Sequence, residues 1–108
     1  MPRDDAARMR DIVEAATRIR DRVQGLDEAG FASNDTVMRA VLYDLAVIGE
    51  AAKGVSDDAR RRFPAVPWPD MAGMRDVVVH QYFGIDPALV WRAASGSVPK
   101  LLRAIGAT

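Results

Sequence analysis

Apolar residues in this chain recur at spacings of three and four from Met9 almost to the C-terminus, and that period admits helices and little else. Met9, Ile12, Ala16, Ile19, Val23 and Leu26 make one stripe on a helix predicted from Asp4 to Gln24, with Gly25 as its stop. Asp27 is placed to cap a short turn containing Ala29 and Phe31, and Ser33-Asn34-Asp35 offers the next N-cap. A second long helix is predicted from about Asp35 to Lys53. Val37, Val41, Leu45, Ile48 and Ala52 form its stripe, Met38 and Leu42 widen it, and Gly54 ends it. Ser56 or Asp57 caps a short helix through Ala59 to Phe63. Pro64, Pro67 and Pro69 then form a connector that cannot continue a regular helix. A third helix is predicted from near Asp70 to about Tyr82, closed by Gly84.

Asp86-Pro87 reads as an N-cap followed by proline at the first helical position. The last helix carries Leu89, Val90, Ala93, Val98, Leu101, Leu102 and Ile105, and Ser95-Gly96-Ser97 with Pro99 should kink it midway. Val77-Val78-Val79 is the only strand-like run and is too short to carry a sheet. The expected fold is all-α: an antiparallel four-helix bundle over a single domain, 1–108, with an extra short helix and a Pro-rich connector.

Composition narrows the chemistry. Fifteen basic residues balance fifteen acidic ones, which excludes a generally polybasic protein and leaves little charge to oppose self-association. Cysteine is absent, so thiolate metal sites and cysteine nucleophiles are excluded. His80 is the sole histidine, so no multi-histidine site is built from one chain, and the Glu-x-x-His pairs of a di-iron bundle are missing. The N-terminus lacks the apolar core of a secretory signal and no run approaches a membrane span, so a cytoplasmic protein with no membrane partner is expected.

The segment Met74-Arg75-Asp76-Val77-Val78-Val79-His80-Gln81-Tyr82 gathers an arginine, an acid, the histidine and a tyrosine. On a helix, Asp76 and His80 are neighbours four apart, while Arg75 and Tyr82, seven apart, share another face. Such a set suits phosphodiester cleavage in RNA without a metal. A base must take the ribose 2′-hydroxyl proton, an acid must protonate the leaving 5′-oxygen, and a cation must hold the developing charge. His80 suits acid or base, and its place near a helix C-terminus one turn beyond Asp76 favours the imidazolium. Arg75 can hold phosphate bidentately. One histidine does not readily supply both acid and base, and a two-fold dimer would bring a second. Set against this, a lone helical histidine is more often capped or solvent-facing, and Tyr82 and Phe83 would by default be packing residues.

The stretch Trp68 to Trp91, with Arg75, His80 and Tyr82 spaced as arginine, four residues, histidine, one residue, tyrosine, resembles the HepT-like family of HEPN-domain ribonuclease toxins. Ile48-Gly49-Glu50-Ala51-Ala52-Lys53 is similar to the family's second-helix signature, and Phe63 to Trp68 to its proline-bounded connector. The resemblance implies a homodimer with both motifs at a shared cleft and metal-independent RNA cleavage by Arg75 and His80, without a cofactor. It also implies the toxin half of a type II toxin-antitoxin pair. Its partner would be a nucleotidyltransferase-fold antitoxin that transfers AMP to the motif tyrosine, here Tyr82. No DNA specificity is expected. Asp76 stands where asparagine is common in the family; its charge could lower RNA affinity or orient His80, in a supporting role.

Several residues have two readings. Arg60-Arg61-Arg62 could bind RNA or a partner, but a solvated helix face is favoured. Glu50 could sit near the cleft or on the bundle surface. Trp68 and Trp91 read as core or dimer anchors rather than base-stacking platforms. The competing function is a non-catalytic helical module that holds a nucleotide or seats a nucleotidyltransferase partner.

Overall fold

The chain forms seven α-helices and one π-helical turn among the residues that the computed structural model describes, which are 4–84 and 86–106, with the side chains at 77 and 79–83 outside the description. Helix α1 is Asp5–Val23, α2 Glu28–Ala32, α3 Asp35–Gly54, α4 Asp57–Arg62, α5 Trp68–Phe83, α6 Pro87–Arg92 and α7 Val98–Ile105. Four of the five side-chain caps are ones read from the sequence, and Asp4, read there as the first helical residue, is the fifth. Asp4, Asp27, Asn34, Ser56 and Asp86 each accept a backbone N–H two or three residues on. Gly25 ends the first helical run with φ +81°, a conformation that a β-carbon would strain.

The bundle is all-α. Helix α3 is its centre, packed on α1 along one side and on α5 along another, while α7 lies against α1. Ile12, Ala15, Ala16 and Ile19 of α1 are buried against Val41, Leu45, Ile48 and Ala52 of α3, joined by Met71, Val98, Leu101 and Leu102. The fourth long element is composite. α6 runs into a π-helical turn at Ala93–Ser97 and then into α7. Pro99 has no N–H for an α-type bond, and Ser95 donates its hydroxyl to the Trp91 carbonyl at 2.7 Å; both favour a widened turn over a straight helix. The α-helical run is interrupted by this turn at the place where the sequence predicts a kink. Phe31, fully buried on α2, meets Trp91 with ring centroids 5.4 Å apart, which ties the short helix to α6.

Three details depart from expectation. Helix α5 begins at Trp68, so Pro69 sits inside its first turn, where no N–H is needed. Asp44 lies buried on the α3 stripe, where Arg18 of α1 donates from Nε and Nη2 to its Oδ1, both at 3.0 Å. That hydrogen bond holds the Arg18 guanidinium above the ordinary arginine range. The arginine run is not uniformly a solvated face. Arg60 donates to the Ala52 carbonyl at 2.9 Å and the Val55 carbonyl at 3.2 Å, closing the C-terminus of α3, and lies 5.7 Å from the Trp68 ring centroid. Arg61 forms an exposed pair with Asp58, as a solvated face would.

At the same end of α3, Asp5 accepts from both the N–H and the hydroxyl of Ser56, at 2.9 Å and 2.5 Å. These bonds lower its carboxyl below the ordinary value and fasten the start of α1 to the α3–α4 junction.

Candidate active site

Helices α3 and α5 approach closely at Gly49 and Arg75. A β-carbon at Gly49 would lie 2.8 Å from the Arg75 backbone nitrogen and 3.0 Å from its Cβ, closer than real side chains sit. The absent side chain therefore permits the contact. The next residue, Glu50, then reaches Arg75, and the guanidinium Nη1 stands 2.7 Å from Glu50 Oε1. The ion pair is half open: the Arg75 side chain is 50% exposed and that of Glu50 59%. An exposed pair of this kind contributes only about 0–1 kcal/mol to stability. It places the guanidinium beside Glu50 with half of the side chain still accessible.

Asp76 is exposed on the following position of α5. His80 and Tyr82 belong to the last turns of the same unbroken helix, and their side chains lie outside the described residues. Backbone register puts His80 about 7.5 Å along the axis from Arg75 and Tyr82 two turns from it. Glu50, whose two readings the sequence left open, is brought to Arg75. Its signal was its place directly after a glycine inside an apolar helix stripe.

Along α3, Tyr43, Ala46, Val47 and Glu50 line a groove of about 330 Å³ with Arg8 and Asp11 of α1. Tyr43 is the large apolar side chain most open to solvent among the described residues, 69% exposed. Trp68 is core, 7% exposed, its indole N–H donating to the Phe63 carbonyl at 3.2 Å. No group of three potential metal ligands converges among the described residues. No helix there is long and apolar enough to cross a membrane.

The site thus consists of a half-exposed, glutamate-paired guanidinium on the helix that also bears the chain's one histidine, within an all-α bundle. The comparisons make the class specific. The family model described as "Ribonuclease HepT-like" matches residues 12–107. The chain is 37% identical over 103 residues to "Putative RNase MJ1380" of Methanocaldococcus jannaschii, covering 95% of this chain and 94% of that protein. It is 37% identical over 99 residues to "Putative RNase MJ1216" of the same organism, covering 92% and 82%. It is 34% identical over 101 residues to "Probable ribonuclease HepT" of Thermococcus cleftensis, covering 94% and 92%. No solved structure matches the chain. The chain belongs to the HepT-like ribonuclease family, and RNA is the substrate class that membership implies.

Proposed function

We propose that the protein is a metal-independent endoribonuclease, the toxin of a type II toxin-antitoxin pair, working as a homodimer of single-domain chains. The observation that carries this reading is the Glu50–Arg75 pair beside Gly49, a half-exposed guanidinium on the helix of His80. Arg75 holds the scissile phosphate and the charge that grows on it. One His80 takes the 2′-hydroxyl proton as the 2′-oxygen attacks phosphorus; the P–O5′ bond breaks, and the dimer's second His80 gives a proton to the departing 5′-oxygen. Asp76 supports His80 from one turn earlier. Zero net charge, together with exposed Tyr43 on the α3 face that also bears Glu50, supports self-association beside the site.

The test is digestion of RNA by nuclease-free protein in excess chelator. Full activity is expected; RNA left whole, or cleavage that returns only with added metal, would overturn the reading.

The antitoxin is a nucleotidyltransferase that places AMP on Tyr82. The added phosphodiester would sit beside Arg75 as a pseudo-substrate, and its charge and bulk would oppose the RNA backbone. Tyr82→Phe removes only the acceptor oxygen. It is expected to keep ribonuclease activity and to escape neutralisation, while wild type incubated with partner and ATP gains the mass of one or more AMP units. Intact-mass spectrometry reads the outcome, and an unmodified Tyr82 in neutralised protein would mean inhibition by binding alone.

A further inference from the structure

Between the first half of α5 and the composite α6–α7 element runs a groove of about 560 Å³, floored by Met71, Met74, Leu89 and Leu101. It opens directly into a second, shallower groove of about 440 Å³, and Arg92, Ser97 and Lys100 line both. Arg103 and Ser95 complete the second. Arg92, Lys100 and Arg103 are exposed, and among the described residues none pairs with a carboxylate; Arg92 donates only to its own helix, to the Ala88 carbonyl at 3.4 Å. In a chain of zero net charge, three cations and two hydroxyls around one groove are a local concentration of positive potential. The single acid of the two linings, Asp70, borders the apolar part alone.

We propose that this double groove is a binding track for single-stranded RNA, separate from the cleavage site, an inference that rests on the ribonuclease reading. The backbone phosphates lie on Arg92, Lys100 and Arg103, and an unstacked base enters the apolar cleft beside them. The division matches the chemistry of a single strand, which offers charge along one edge and flat apolar faces along the other. A duplex keeps its bases stacked and cannot use the cleft. At the apolar end, the Asp70 carboxylate would repel a phosphate but accepts from a base amino group. The groove shares helix α5 with the chemistry. Gly73 and Met74 on its wall immediately precede Arg75, and His80 follows Met74 by about 9 Å along the same helix axis.

Two variants test the two halves separately by fluorescence anisotropy with a labelled single-stranded RNA oligonucleotide over a salt series. The triple variant Arg92→Gln, Lys100→Gln, Arg103→Gln changes exposed side chains only. It is expected to weaken binding at least about tenfold at low salt and to flatten the logarithmic salt slope by about 2, the value for three single-strand phosphate contacts. Gly73→Leu adds a side chain to the cleft lining from a position where a β-carbon meets nothing within 4 Å. It is expected to weaken binding several-fold with the salt slope unchanged. Wild-type affinity and slope in the triple variant would overturn the proposal, whatever that variant does to a protein partner. So would a wild type that binds no RNA. Wild type that binds through the groove yet leaves RNA whole in chelator would instead overturn the ribonuclease reading and leave the track standing.

Discussion

RNA cleavage by Arg75→Ala is expected to fall by about a hundred- to a thousandfold, the usual cost of deleting one preorganised group that stabilises transition-state charge. For His80→Ala the loss should be larger, because in a two-fold dimer the substitution removes acid and base together, each worth about 10² to 10⁴. Neither result should come from unfolding in the case of Arg75, whose side chain is half exposed and whose partner Glu50 is more exposed still. Thermal melting of Arg75→Ala should therefore stay near wild type. Arg75→Lys separates charge from geometry. A guanidinium has nitrogens to spare while Nη1 stays on Glu50, whereas an ammonium must divide one nitrogen between the glutamate and a phosphate. The lysine variant should fall between wild type and alanine. Single-turnover cleavage in excess chelator measures all three. Activity of Arg75→Ala within a few-fold of wild type would remove that residue from the chemistry.

Glu50 also tempers the charge that Arg75 presents to solvent. Its carboxylate offsets the Arg75 charge, and Asp76 adds a second negative charge next along the helix.

The helical period was legible because each long element buries a stripe: Ile12, Ala16 and Ile19 on α1, Val41, Leu45, Ile48 and Ala52 on α3. Capping residues were legible because few side chains can accept a helix's first free N–H groups. Asp44 was not. An acid inside a helix reads as surface, and only its partner Arg18, 26 positions earlier on a different helix, makes its burial tolerable. Arg60 was missed for the same reason, since the carbonyls it closes become free only where α3 stops. Within the candidate site, the Arg75-to-Tyr82 spacing was a sequence-local feature and could be read directly. The Glu50 contact could not, because it depends on how closely α3 and α5 approach. That depends in turn on one missing side chain.

Gly49→Ala should expose this dependence. The new methyl would stand 2.8 Å from the Arg75 backbone nitrogen, and a backbone atom in mid-helix cannot rotate aside as a flexible side chain would. Helices α3 and α5 must part or tilt at that point. Overpacking of this kind costs about 1–3 kcal/mol. Alanine's advantage over glycine in a helix returns up to about 1 kcal/mol, so a net loss of about 1 kcal/mol is expected. The effect on catalysis should be far larger. Parting the helices lifts Glu50 from Arg75 and shifts the guanidinium relative to the rest of α5, and a misplacement of about 1 Å can cost about a hundredfold in rate. The matched control is Ile12→Val in α1, fully buried on a helix that carries none of the proposed chemistry, at a cost of about 0.5–1.5 kcal/mol. Equal losses of melting temperature, with cleavage about a hundredfold lower in Gly49→Ala and unchanged in Ile12→Val, are the expected pair of results. Near-wild-type cleavage by Gly49→Ala would show that the close approach of α3 and α5 serves packing and does not set the position of Arg75.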